Sequence, residues 1–372
     1  MSIILGLLGL SFLVFFHETG HFIAAKIFGV KVEAFSIGMG PVLLHHTFRG
    51  TDYRLSLIPM GGYCSMKGEK DFKNAVENDL PVMQTESDSF YGIHPLKRIL
   101  IAFAGPLFNF IFAIIAFTII ALMGYKYYSA GTVVSMADEL YENITSPAHE
   151  SGLETGDEIL SIDGNKMNDF SDLAKYISVN PDKDLKITVK RNGEELTFTV
   201  HSLLDKEEMS GKIGIVASKD SIVEREYPKH SFFPAVAEGV KKTFELCSIS
   251  IKSIKILFKG VKVTEAVSGP ARITSILGSS MKDGFSQGFK TGIITTLEFL
   301  SLISVSLFLT NLLPIPVLDG GLILTALIEL FTRKKLKPKT LYRLQLAGAF
   351  ILVLIFIVAI TGDVLYFIRN RK

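Results

Sequence analysis

Phe16-His17-Glu18-Thr19-Gly20-His21 sets three proton-active side chains inside a run that otherwise has the composition of a lipid-soluble helix. Residues 3–16 are almost wholly apolar, and the helical pattern continues to about Lys26. On a helix His17 and His21 lie one turn apart on the same face, so two imidazole nitrogens can share one cation, with Glu18 beside it. H-E-x-x-H in that geometry is the pattern of a zinc site whose Glu is the general base of a hydrolase. The alternative is a pair of buried histidines satisfied by hydrogen bonds. Inside an apolar span that alternative recedes, because ionisable groups there are costly and mark function.

Working outward, the positive mean hydropathy and the 28 Phe residues put much of the chain in lipid. Four runs with few or no charges are long enough to span a bilayer: 3–26, 99–123, 299–318 and 344–362. The first has no basic n-region and no small-residue cleavage site, so it is expected to stay in the mature protein as a span. Lys31, Arg49, Arg54, Lys67, Lys70, Lys73, Lys97 and Arg98 follow the first span. Arg333, Lys334, Lys335, Lys337, Lys339 and Arg343 precede the fourth. The positive-inside rule makes both connections cytoplasmic, with both termini and the long segment between the second and third spans outside. The helix rise then puts His17 about 21 Å from Ile3 in an apolar core about 30 Å thick, so about 10 Å below the cytoplasmic face. A net charge of +2 with no basic, aromatic-interleaved patch gives no sign of nucleic acid. The two cysteines, Cys64 and Cys247, fall on opposite sides of the membrane, which excludes a disulfide framework.

The first cytoplasmic connection is unusual. Residues 31–37, 42–46, 53–57 and 63–66 read as short strands separated by Gly40-Pro41, Gly50 and Gly61-Gly62. The stretch 55–63 is apolar enough to dip into the bilayer as a hairpin, and a surface sheet without a substrate role is the alternative. Residues 71–89 are polar and acidic and read as a mobile loop. Ala104-Gly-Pro-Leu-Phe-Asn-Phe110 in the second span reads as helix packing, with Asn109 bonded to a neighbouring helix. Residues 130–204 are soluble in character, with a short helix, a turn, and a hairpin around Arg191-Asn192-Gly193. There His149 and His201 are expected at the surface. A helix at 234–259 pairs an apolar 4-3 stripe, Val240, Phe244, Cys247, Ile251, Ile254 and Phe258, with lysines including Lys259. It either lies at the membrane interface or packs on the soluble module.

Catalytic zinc usually has three protein ligands and one open position. In Thr310-Asn311-Leu-Leu-Pro314-Ile-Pro316-Val-Leu-Asp319-Gly-Gly321 two prolines break the third span and one carboxylate follows them at membrane depth. Asp319 is the natural third ligand, with a helix cap as the alternative. Asn311 can hold a substrate carbonyl or amide, and Glu298 is a weaker ligand candidate.

The motifs 17–21, 58–63, 104–110 and 311–321 resemble, in order and over nearly the whole chain, those of bacterial site-2 proteases of the regulator-of-sigma-E branch. The string from Ser146 to Gly164 resembles bacterial PDZ domains. The resemblance implies an α-helical polytopic membrane protein of four transmembrane helices, with a membrane-associated β-hairpin or sheet and an extracytoplasmic PDZ-like α+β domain. It implies Zn²⁺ held by His17, His21 and Asp319, activation of water by Glu18, and substrate backbone bound by Asn311. Leu57, Ile58, Pro59, Met60, Gly61 and Gly62 would form a reentrant hairpin that pairs with the unwound substrate.

The implied substrates are single-span membrane proteins in the lipid bilayer of a bacterial inner membrane, such as anti-sigma factors or remnant signal peptides, already cut once outside. A peptide would bind the PDZ-like domain. The expected organisation is a first span with the zinc motif (1–28), a β region and loop (29–94), a second span (95–125), and the PDZ-like domain (128–205). Amphipathic linker helices (232–285), a third span with the third ligand (290–331) and a fourth span (341–364) complete it. Two departures stand out: one PDZ-like module where some relatives have two, and Leu322 where relatives often place a polar residue. A peptide-binding membrane scaffold with a structural metal is the second reading. A metal transporter, which calls for internal repeats and several intramembrane acids, is a third.

Overall fold

The computed structural model describes residues 2–142, 144–206, 209–218, 221–257 and 268–369. In chain order the helices are α1 (Ser2–Ile27), α2 (Glu69–Glu77), α3 (Pro95–Met123), α4 (Ala137–Leu140), α5 (Pro147–Glu150), α6 (Phe170–Ser178) and α7 (Phe232–Leu257). They continue as α8 (Pro270–Ser286), α9 (Phe289–Asn311), α10 (Asp319–Thr332) and α11 (Pro338–Arg369). Two long strands, β1 (Val32–Phe48) and β2 (Thr51–Met66), follow α1, and nine more, β3 to β11, lie between Tyr125 and Tyr227. The chain divides into two units, one of residues 1–120, 232–247 and 268–372, the other of 121–231 and 248–267.

In the first unit α1, α3, α9 and α11 are each long and apolar enough to cross a membrane. Leu13 of α1, Phe112 and Ala116 of α3, Leu277 of α8, and Leu300 and Ile303 of α9 form one buried apolar cluster. At Gly20 the backbones of α1 and α3 touch: a Cβ there would fall 2.8 Å from the Ala104 carbonyl carbon and 2.9 Å from Phe108 Cγ. Small residues permit this approach, and it brings the His17–His21 face of α1 against Gly105.

β1 and β2 form more than a plain hairpin. Phe35 pairs with Cys64 on one side and Tyr53 on the other, while residues 42–48 pair with 51–56. The two strands therefore fold into four antiparallel segments in the order 42–48, 51–58, 32–37, 62–66, bent at repeated register shifts. Ser11 of α1 donates to the carbonyl of Pro59. Because Ser11 lies sixteen residues before Ile27, the sheet climbs about 24 Å along α1. Its outer surface is apolar, with Leu43, Leu44, Leu57 and Ile58 exposed, as suits a sheet facing lipid.

Four features differ from the sequence expectation. Residues 69–77 are helical where a mobile loop was expected, because Phe72 and Ala75 share a face and pack with Met83, Tyr91 and Leu341. The third span ends at Asn311, short of Leu318, since Pro314 and Pro316 interrupt the backbone ladder before α10 begins. The fourth helix runs beyond its uncharged stretch in both directions, from Pro338 to Arg369. Helix α7 lies against the first unit's spanning helices in its N-terminal part: Phe244 packs edge-to-face on Phe110 at 5.3 Å, and Cys247 is buried with Ala113 and Val305. The last members of its expected stripe, Phe258 and Lys259, lie outside the described residues.

The second unit is built on a five-stranded antiparallel sheet of order β6-β5-β7-β8-β9, with β5 at Glu158–Ile162, β6 at Asn165–Lys166, β7 at Lys183–Arg191, β8 at Glu194–Asp205 and β9 at Ser210–Lys212. Its core includes Leu153, Ile159, Ile162, Leu173, Leu185, Ile187, Val189 and Val200. His149 and His201 are partly exposed and bonded to Asp138 and Asp184, in line with their expected surface position.

Asp157 is buried at 1% exposure and accepts two hydrogen bonds from Arg191, at 2.7 and 2.8 Å. Burial pushes its carboxyl up, but the bonds from Arg191 and from the Glu154 N–H outweigh that and hold it below the usual Asp range. The stability it contributes is present above the ordinary Asp value of about 3.9 and is lost as pH falls through the lowered value. Asp157→Ala, which removes two bonds of Arg191 but leaves those to Glu154 and the Gly152 carbonyl, is expected to cost the second unit about 1–3 kcal/mol at neutral pH. Its denaturation should also depend less on acid below about pH 4 than that of the parent. Urea melts of the full-length protein at pH 7 and pH 3.5, followed by a probe in this unit, measure both effects; equal midpoints for the two proteins at pH 7 would refute the assignment.

Candidate metal centre

The local rules of a helix put His17 and His21 on one face, and the α1–α3 crossing buries both at 8% exposure. Their Nε2 atoms are 3.2 Å apart. Asp319, the first residue of α10, reaches the same point: Oδ2 is 3.2 Å from His17 Nε2 and Oδ1 is 3.2 Å from His21 Nε2. One donor atom from each of the three side chains lies within 4.8 Å of the others. Two ligands about 2.0–2.1 Å from a tetrahedral zinc ion are themselves about 3.3 Å apart, so the donor set and its spacing fit that ion. Glu298 is not part of the cluster.

The far side of each imidazole is also fixed. His21 Nδ1–H donates to the Ile101 carbonyl at 2.8 Å, which leaves the Nε2 lone pair for a metal. The Asn109 amide nitrogen meets His17 Nδ1 at 3.0 Å, while Asn109 Oδ1 is buried without a hydrogen-bond partner. An amide turned end for end satisfies both observations at once, because Oδ1 then accepts from His17 Nδ1–H and His17 also presents a bare Nε2. Ser304 of α9 donates to the Asn109 carbonyl at 2.8 Å and steadies this residue.

Gly105 is the other residue of α3 that the site requires. A Cβ on it would press on His21 Nε2, 2.6 Å from His21 Cε1 and 2.8 Å from His17 Nε2. The missing side chain leaves the space into which both nitrogens point. Sequence reasoning gave Gly105 and Asn109 to helix packing, with Asn109 bonded to a neighbouring helix; that bond is present, to His17 of α1, but its place at the metal site was not read. Their i, i+4 spacing, which puts a glycine and an amide on one face of an apolar span, was the available signal.

The broken segment is held under tension beside the third ligand. Val317 has φ +109°, a conformation that β-branched residues rarely adopt, two residues before Asp319. The Leu318 N–H bonds to Ile315 O at 3.0 Å and closes the turn that aims α10 at the histidines. Further along, Glu329 of α10 pairs with Arg98 of α3; both are buried, and the second Glu329 oxygen accepts from the Leu336 N–H at 2.8 Å. This brace joins the helix carrying Gly105 and Asn109 to the helix carrying Asp319.

The cluster opens onto a cavity of about 790 Å³ whose walls include Glu18, Asn311, Tyr63, Cys64 and Gln345. Glu18 accepts a hydrogen bond from the Cys64 backbone, and Gly62 lies over it, with its Cβ position 3.8 Å from Glu18 Cγ. Asn311 reaches the cavity from the end of α9. Of the sheet, Tyr63, Cys64 and Met66 line it, whereas Leu57 and Ile58 point outward with 55% and 47% exposure and Pro59 is bonded to Ser11. Gly61 takes φ +89° at the bend, next to Met60. The segment nearest the metal site is therefore 62–66, one step further along the chain than the expected 57–62.

Comparison with known proteins agrees with this geometry. The model of peptidase family M50 matches residues 5–355. A Treponema pallidum protein named "Putative zinc metalloprotease" is 34% identical, with 98% of this chain and 99% of that protein aligned. Proteins of the same description from Campylobacter jejuni and Clostridium perfringens are 35% and 33% identical, over 95% and 98% of this chain and 91% and 99% of their own. A match of that extent, on a chain whose histidines and aspartate already converge on one point, leaves a single assignment: the chain belongs to peptidase family M50, the site-2 proteases, and is a membrane metallopeptidase whose cofactor is Zn²⁺.

Proposed function

We propose that the protein hydrolyses peptide bonds within or next to the transmembrane segments of single-span membrane proteins, after a first cut outside the membrane. The observation that carries this reading is the three-donor cluster, spaced at 3.2 Å, opening onto a large cavity beside a carboxylate that is not part of the cluster. His17, His21 and Asp319 hold the ion. Bound there, Zn²⁺ supplies Lewis acidity, which brings the pKa of water towards neutrality and polarises a peptide carbonyl. Glu18 takes the proton from the attacking water and delivers it to the leaving nitrogen. Asn311 binds the substrate backbone. The edge segment 62–66 pairs with the substrate as an added strand, which replaces the helical bonds it must give up, and the bend at 57–62 carries that edge into the membrane.

The second unit is the extracytoplasmic PDZ-like module and binds an extended peptide. The protein sits in a bacterial inner membrane with its site towards the cytoplasm, in keeping with the basic residues that flank α1 and α11. A scaffold with a structural metal is disfavoured, since such sites use four protein ligands and need no adjacent base.

The test is cleavage of a tagged single-span protein in lipid vesicles. A chelator should stop it and added zinc restore it. Asp319→Ala should purify with less than a tenth of the parent's zinc and show no turnover. Undiminished zinc in that variant removes Asp319 from the ligand set, and a parent that binds the substrate without cutting it favours the scaffold.

A further inference from the structure

Helix α11 is largely apolar where it faces the site, and the polar side chains it brings to the cavity are those of Tyr342 and Gln345. Leu341 and Gly348 are both buried, and a Cβ on Gly348 would fall 2.5 Å from the Pro316 carbonyl carbon, so the 341–348 face presses on the broken segment before Asp319. Gln345 lies four residues after Leu341 and three before Gly348, on that same inward face. It lines the metal-site cavity and also a smaller pocket beside it that is lined by Arg98, Pro316 and Val317. Among the described residues its amide has no hydrogen-bond partner. Leu344 and Leu346 flank it in a helix whose mean hydropathy reaches 2.7. A half-buried amide that faces the cavity without a protein partner is available to a ligand there.

The chemistry of the side chain narrows the ligand. Glutamine does not titrate, carries no charge and is not a usual zinc ligand, whereas its planar donor and acceptor match a peptide group. A strand added at the 62–66 edge has one row of its N–H and C=O groups paired. The opposite row stays open, with a donor and acceptor pair recurring every second residue. In an apolar medium that row needs partners of its own. We infer that Gln345 supplies one: its amide bonds the substrate backbone on the side away from the sheet, as a second amide contact alongside Asn311. The inference rests on the proteolytic reading above and extends it to the fourth span.

Gln345→Leu, in full-length protein reconstituted with a tagged single-span substrate, is expected to keep its zinc and its kcat within about twofold. Its KM should rise about five- to tenfold, the effect of losing one or two neutral hydrogen bonds. Gln345→Asn, which keeps a shorter amide, should fall between the two. A KM within twofold of the parent in Gln345→Leu overturns the inference while the parent's turnover still stands, and a parent without turnover sinks the proteolytic reading instead.

A second measurement covers a variant that folds poorly. With Cys64 and Cys247 changed to serine in the Glu18→Gln background, Gln345→Cys and Asn311→Cys should each form disulfides with single cysteines placed along the substrate span. Both sets should fall within the same few residues around the cut. Bridging from position 311 without any from 345 overturns the inference.

Discussion

Glu18→Gln is expected to cut turnover by about 10²–10⁴-fold while leaving the zinc content of the purified protein unchanged. The two halves of this result follow from one piece of helix geometry. Glu18 directly follows His17, so its side chain leaves α1 about 100° round from the ligand face. It borders the cavity without belonging to the donor cluster. Glutamine has the same size and can still accept the bond from the Cys64 backbone. The local packing is therefore kept, and the lost quantity is a proton acceptor beside the attacking water. Since substrate is held by other groups, KM should stay within about threefold, and the loss should fall on kcat. Metal analysis and single-turnover cleavage in vesicles measure the two halves. A zinc-loaded variant with turnover within threefold of the parent would move the base to another residue.

How much of this site the sequence could reveal depends on how local each part is. His17, Glu18 and His21 were legible because their relation is a property of one helix, decided by spacing alone. Asp319 was legible for a different reason: an acid directly after two prolines in an apolar span has few bland explanations. Gly105 and Asn109 were recognised as helix-packing residues, Asn109 with a bond to a neighbouring helix, but not as part of the metal site, because that role exists only where α3 crosses α1, more than eighty residues away in the chain. The sheet was legible as four short segments but not as an order. Its order comes from each long strand folding back so that segment 32–37 lies between 51–58 and 62–66, and period-two patterning carries no information about that. The same folding back carries Gly62 and the residues after it to the site, while Leu57 and Ile58 face outward. Helix α2 was missed because its apolar face is only a few residues wide and gains meaning from Leu341, which arrives from the far end of the chain.

Gly105→Ala is expected to weaken zinc binding at least a hundredfold and, with it, cleavage, although by every local rule it should improve the protein. Alanine in a helix interior is favoured over glycine by about 0.5–1 kcal/mol, so α3 itself should gain stability. The substitution is penalised only by what faces it. The new methyl carbon would stand 2.8 Å from His17 Nε2 and closer still to His21 Nε2, in the space where both lone pairs converge. Relief would require either an imidazole to swing away, breaking the bond from His21 Nδ1 to the Ile101 carbonyl, or α3 to withdraw from α1. The second would give up the close α1–α3 packing that Gly20 permits. Zinc affinity is therefore expected to fall at least a hundredfold, while in the metal-free protein the helical gain of alanine and the loss of the His21–Ile101 bond are of similar size, so its thermal midpoint should stay within a few degrees of the metal-free parent's. Zinc titration and thermal denaturation of the two apoproteins separate this outcome from general damage. A Gly105→Ala protein that binds zinc as tightly as the parent would show that α3 does not wall the metal site, and that the close approach of the two helices serves packing alone.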